Sequence, residues 1–189
     1  MIKNSTLHYS SESDIIRFQE ERLKETLEYL SQNSPFYKRM FKENNIDISQ
    51  IKHLSDLHKL PVTTKEDLQK HNNEFICIDK ESIIDYVTTS GTLGEPVTFA
   101  LSNNDLDRLA YNEASSFTMA GCKKGDIIQL MTTIDRRFMA GLAYFLGARE
   151  LGCGIIRVGN GIPELQWDTI QRVSPNVCIV VPSFLMKLI

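Results

Sequence analysis

The sequence predicts an α/β fold, a helical N-terminal segment followed by a parallel sheet of alternating strands and helices. Three observations predict it. Apolar residues at helical spacing fill the first part of the chain, with charges on the other face. The pattern changes near residue 75, after which short apolar runs alternate with helical stripes. Those runs, such as residues 177–181, are continuously apolar, as strands covered on both faces are. The expected division is residues 1–74 as the helical segment and residues 75–189 as the α/β part.

The elements follow in order. Ser11 or Ser13 caps a first helix carrying Ile15, Ile16, Leu23, Leu27 and Leu30. "SPFYKRMF" starts a second, with Ser34 as cap and Pro35 at the first helical position. Thr63 and Thr64 each have an acid three residues on, Glu66 and Asp67, which is the capping-box pattern of a third. "EFICID" and "IIDYVTT" read as strands. Ser102 or Asn103 then caps a helix that Gly121 stops. "DIIQLMTT" is a strand, "FMAGLAYFLGARELG" a helix, "GIIRVG" a strand and "PELQWDTIQRV" a helix with Pro163 near its start. "NVCIVVP" is the last strand, and "SFLMKLI" opens a final helix.

Composition narrows the function. The chain has 189 residues, 42% hydrophobic, with a net charge of -3. No basic patch stands out, so a nucleic-acid partner is not expected. Its apolar runs are too short to span a bilayer, and its first residues lack the apolar core of a signal peptide. A cytoplasmic location is therefore expected. Cys77, Cys122, Cys153 and Cys178 lie far apart, none with a histidine at metal-ligand spacing, so no metal site and no disulfide framework is expected. A homodimer is compatible with the composition.

"TTSGTLGEP", residues 88–96, is the stretch with chemical content. It lies beyond the C-terminal end of a predicted strand, where parallel sheets gather ligands. Glycines let backbone N–H groups approach an anion, and threonine and serine hydroxyls add donors. It is neither a Walker A loop nor GxGxxG. A polar turn and a polyphosphate loop both remain open on these residues alone.

The segment "TSGTLGEP" resembles the Ser/Thr/Gly-rich phosphate loop of the adenylate-forming (AMP-binding) superfamily, matching at Ser90, Gly91, Thr92, Gly94 and Pro96. "LPVTTKEDL", "GARELGCGIIRVGNG" and "SPNVCIVVPSFLMKL" resemble segments of its phenylacetate–CoA ligase branch, in the expected order. Two residues depart from the pattern: Leu93 replaces a threonine and Glu95 the usual lysine.

The resemblance implies an incomplete adenylate-forming N-terminal domain, belonging to a ligase that adenylates a carboxylic acid, an aryl acid above all, with ATP and Mg²⁺ and passes it to coenzyme A. It implies that Thr89, Ser90, Gly91, Thr92 and Gly94 bind the ATP phosphates. It places the acyl pocket around Phe138, Met139 and Gly141, although Met139 with Leu142 and Phe145 also reads as helix core. Arg136 and Arg137 are candidate partners of a carboxylate or phosphate, or ordinary surface arginines. The branch's catalytic residues lie downstream of the matching segments, so none is expected in this chain, and residues 1–189 alone are expected to be inactive. The alternatives are a related enzyme passing the acyl group to an amine or carrier protein, and a degenerate relative without catalysis.

Overall fold

A computed structural model of the chain describes residues 10–89 and 95–188. The chain forms two compact units. One contains residues 10–83 and 95–99, the other residues 84–89 and 100–188.

The first unit is helical. Helix α1 (Glu12–Asn33) begins at Ser11, whose hydroxyl accepts from the Asp14 N–H. Helix α2 (Pro35–Glu43) begins at Ser34, which is fully buried and has two partners: its Oγ accepts from the Tyr37 N–H and donates to the Glu74 carbonyl at 3.0 Å. Helix α3 (Lys65–Lys70) starts at Thr64, with Asp67 completing the capping box. Each such cap satisfies an otherwise orphaned helical N–H and contributes about 1 kcal/mol. Leu27, Phe41 and Ile51 form the buried centre, with Leu23, Leu30, Met40 and Leu60 packed around it.

The expected strand at "EFICID" is absent. Asn72–Phe75 is a 3-10 turn, and the residues after it run on without a strand partner. Side chains take the place of a ladder here. Ser34 holds the Glu74 carbonyl and the Tyr29 hydroxyl the Cys77 carbonyl, while Phe75 stacks on Phe36 with ring centroids 4.2 Å apart. The stretch is apolar because it covers the helices.

The second unit carries the parallel sheet, and the second strand of a smaller two-stranded sheet begins in the first. Strands β1 (Asp85–Thr88) and β2 (Thr98–Leu101) form a two-stranded sheet, with the Ile84 N–H donating to the Leu101 carbonyl at 2.8 Å. Sequence reading did not predict β2; its four residues lie between the loop and the next helix cap. Helix α4 (Asn103–Met119) starts at Ser102, with Asp105 completing the capping box. Then come β3 (Ile127–Leu130), α5 (Met139–Leu151), β4 (Gly154–Arg157), α6 (Pro163–Val173), β5 (Val177–Ile179) and α7 (Pro182–Leu188).

The larger sheet has the order β4-β3-β5, all parallel, with Ile128 opposite Ile155 and Val177. Successive residues of β3 face opposite sides. Ile128 packs with Phe117 of α4 and Ala148 of α5, whereas Gln129 meets Gln166 of α6. Helices thus cover both faces, as the continuous apolar strands require. Gly147 lets α5 lie close on α4, since a Cβ there would come within 2.3 Å of Glu113 Cβ.

Candidate functional site

The site is built at the end of β1. The Thr88 N–H donates to the Arg137 carbonyl at 3.1 Å, so the last strand residue before the Ser/Thr/Gly segment is tied to the connection between β3 and α5. Thr89 follows, exposed to solvent. Ser90, Gly91, Thr92, Leu93 and Gly94 lie outside the described residues.

The chain leaving the segment is held within the helical unit. The Gln69 amide donates to the Glu95 carbonyl. The Asn72 side chain pairs twice with Thr98, donating to its carbonyl at 2.9 Å and accepting from its N–H at 3.0 Å. A side-chain amide paired in this way does the work of a neighbouring strand. Neither residue was singled out from sequence, where each is one polar residue among several on a charged helix and turn.

The connection from β3 to α5 is a tight turn. The Phe138 N–H donates to the Asp135 carbonyl at 3.1 Å, and the two central residues, Arg136 and Arg137, have φ of 58° and 63°. That is the pattern of a type I′ turn, whose central positions favour asparagine and glycine. A non-glycine residue there costs about 1–3 kcal/mol and persists only where its surroundings over-determine it. Both sides of this turn are pinned. Thr88 holds the Arg137 carbonyl on one side. On the other, Gly141 of α5 lies so close to the chain that an added Cβ would come within 1.9 Å of the Thr133 carbonyl oxygen.

The three residues of the expected acyl pocket therefore differ in character. Phe138 and Met139 stand 44% and 41% exposed at the start of α5, where a ligand can reach them. Gly141 is buried, and its lack of a side chain is used by the helix backbone. Leu142 and Phe145 are partly buried, the latter under the Arg157 guanidinium. Through Arg137, the structure brings Phe138 and the root of the Ser/Thr/Gly segment into one neighbourhood.

A second loop lies beyond β4. Gly159 and Gly161 have positive φ, and the Gln166 amide donates to their carbonyls at 2.9 and 3.1 Å. Gln166 in turn accepts from Gln129 Nε2 at 2.8 Å. Both glutamines are buried. Gln129 stands in the middle of an apolar strand and Gln166 on the buried side of α6, so sequence periodicity offers only the hint of a polar residue at an inward position.

Burial pushes the thiols of Cys77, Cys153 and Cys178 up, which keeps them protonated near neutrality. Among the described residues, no group of three His, Cys, Asp or Glu side chains could hold a metal ion. No helix among them is long and apolar enough to cross a membrane.

The chain is similar to known proteins. The phenylacetate–coenzyme A ligase of Escherichia coli K12 is 32% identical over 193 aligned residues, covering 100% of this chain and 44% of that protein. The chain is phenylacetate–CoA ligase-like. The phenylacetate–coenzyme A ligase of Thermus thermophilus is also 32% identical, over 90% of this chain and 38% of its own length. A solved structure of 2-hydroxyisobutyryl-CoA ligase, in complex with 2-HIB-AMP and CoA, superposes with a TM-score of 0.85 over 94% of this chain and 39% of that one, at 24% identity; this likeness establishes the fold. No protein-family model matches the sequence. The ligase-like chain thus spans less than half the length of the relatives it matches.

Proposed function

We propose that this ligase-like chain provides the phosphate-binding part of an ATP-dependent acid–CoA ligase, and that the acid is an aryl acid. One observation carries the reading. The Thr88–Arg137 hydrogen bond fixes the root of the Ser/Thr/Gly segment beside the turn that presents Phe138 and Met139, so a nucleotide tail and an acyl group have anchors in one neighbourhood. Similarity to phenylacetate–CoA ligases along the whole chain supports it.

In this reading the carboxylate attacks the α-phosphorus of ATP, pyrophosphate leaves, and the thiol of coenzyme A then displaces AMP from the acyl-adenylate. The chemistry needs positioning and charge stabilisation more than covalent help. Thr89, Ser90, Gly91, Thr92 and Gly94 donate hydrogen bonds to the β- and γ-phosphates, and Mg²⁺ arrives with the nucleotide and neutralises part of its charge. Phe138 and Met139 give apolar contact to the acid. Gly141 keeps α5 against Thr133 and so fixes where Phe138 stands. The groups that act at the α-phosphorus come from outside this chain.

The test measures AMP formation by the full-length ligase that carries residues 1–189, with coenzyme A and a panel of acids. Turnover with arylacetic acids exceeding that with short aliphatic acids is expected, with no pyrophosphate release from residues 1–189 alone. A clear preference for aliphatic acids overturns the aryl assignment. Transfer to an amine in place of coenzyme A overturns the acceptor.

A further inference from the structure

We propose that Cys122 and Cys153 form a modifiable dithiol, which a low-molecular-weight disulfide such as oxidised glutathione converts to an intramolecular disulfide. Both cysteines belong to the α/β unit and lie at the amino ends of β3 and β4, away from the strand ends on which the phosphate-binding reading rests.

The first ground is placement. Helices α4 and α5 end alike. Gly121, with φ of 92°, donates its N–H to the Thr118 carbonyl, and Cys122 donates to the Phe117 carbonyl. Gly152, with φ of 84°, donates to the Arg149 carbonyl, and Cys153 to the Ala148 carbonyl. Both are Schellman ends, which turn the residue after the glycine back onto its helix. Each cysteine accordingly packs against one cluster, that of Phe117, Ile128 and Ala148. Two backbone bonds hold the segments side by side: the Gly125 N–H meets the Gly152 carbonyl at 3.1 Å, and the Gly154 N–H meets the Asp126 carbonyl at 2.8 Å. The Cys153 thiol itself donates to the carbonyl of Lys123, the residue after Cys122, at 3.4 Å.

The second ground is access and room. Both are free thiols and half-buried, so a small reagent reaches them. Gly121 and Gly125 flank the Cys122 segment with open space where a side chain would stand, so the segment can shift toward Cys153 without displacing a neighbour. The chemistry balances. The Cys122 thiolate attacks one sulfur of oxidised glutathione, breaking its S–S bond, and one glutathione leaves as a thiolate and takes up a proton. The Cys153 sulfur then loses its proton, attacks the Cys122 sulfur of the mixed disulfide and expels the second glutathione. Two protein thiols are oxidised and one glutathione disulfide is reduced to two thiols. Cys122 reacts first, because burial, the Asp126 carboxylate and the nearby Cys122 sulfur push the Cys153 thiol up. The second step is intramolecular, which offsets the low thiolate fraction of Cys153.

The test incubates residues 1–189 with oxidised glutathione, once in native buffer and once in urea, and maps the unreduced tryptic peptides by mass spectrometry. The expected product joins the peptide of residues 109–123 to that of residues 150–157. It should form about tenfold faster in the native chain than in urea, because folding holds the two thiols together. Its rate should rise with pH, as thiolate attack requires. Cys153→Ser should abolish the cross-link and leave one glutathione on Cys122. The disulfide closes the loop of residues 122–153, so the oxidised chain should unfold at a higher urea midpoint, and dithiothreitol should reverse the gain. Glutathione retained on both cysteines, pairing with Cys77 or Cys178 instead, or a cross-link that forms only in urea overturns the dithiol. So does an unmodified Cys122 in Cys153→Ser, or a midpoint that falls on oxidation. A native chain in which neither Cys122 nor Cys153 reacts overturns it as well.

Discussion

The backbone N–H of Thr88 meets the carbonyl of Arg137 at 3.1 Å, joining the end of β1 to a turn 49 residues further along the chain. A strand end and a helix start are thereby fixed to each other through main-chain atoms, whose geometry does not depend on a rotamer. Everything proposed for the site depends on this tie.

Gly141 gives the first prediction. A Cβ added there would lie 1.9 Å from the Thr133 carbonyl oxygen and 2.7 Å from the Ile134 Cα, both backbone atoms that cannot rotate away. Gly141→Ala is expected to destabilise the α/β unit by about 3 kcal/mol, the upper end for overpacking, read as a lower urea midpoint. A midpoint equal to that of the unaltered chain would show that α5 does not lie against Thr133.

Gln166 gives the second. Replacing it with leucine removes the donors to the Gly159 and Gly161 carbonyls and leaves the buried Gln129 amide only its longer bond to the residue-166 carbonyl, 3.3 Å. Leaving such groups unsatisfied costs about 1–3 kcal/mol each. Gln166→Leu should lower the urea midpoint strongly, and Gln129→Leu together with Gln166→Leu should cost less than the sum of the two singles, since one substitution already breaks the pair. Strict additivity would contradict the coupling.

Acid stability gives the third. Asp56, Asp67 and Asp126 hold carboxyl groups below the usual carboxylate range: Asp56 through the Lys59 ammonium and the His53 and Lys52 N–H groups, Asp67 through the Thr64 N–H and hydroxyl, and Asp126 through the Lys123 N–H and Asn176. A depressed folded pKa means that the unfolded chain takes up protons first. The stabilisation is complete above the unfolded value near about pH 4 and is lost as pH falls through the folded values. Urea midpoints measured from pH 7 to pH 2 should fall below that point, and Asp126→Asn should make the fall shallower. Stability that is constant on acidification would contradict these contacts.

Much of this was legible in the sequence, for physical reasons. Ser11, Ser34, Thr64 and Ser102 cap helices where capping chemistry placed them, because a helix start is a local event decided within four residues. The parallel sheet was legible because strands buried on both faces must be apolar throughout. "EFICID" misled because an apolar run without periodicity serves equally as a strand or as cover for helices; Phe36, Ser34 and Tyr29, all distant in sequence, decided the second. The left-handed turn at Arg136 and Arg137 was illegible, since turn chemistry reads glycine and asparagine and arginine gives no such signal. The ties from Gln69, Asn72 and Gln166 span 26, 26 and 37 residues, or fewer to the glycine loop, and join polar side chains that look alike on any surface helix.

The fourth prediction is the most direct test of the phosphate reading. Backbone amide resonances of residues 85–101 are followed in isotope-labelled protein while a β,γ-methylene analogue of ATP is added with Mg²⁺. Saturable shifts centred on Thr89, Ser90, Gly91, Thr92 and Gly94, carried on to Arg137 through its bond to Thr88, are the expected result. Saturable shifts elsewhere in the chain, with these amides unmoved, would contradict it.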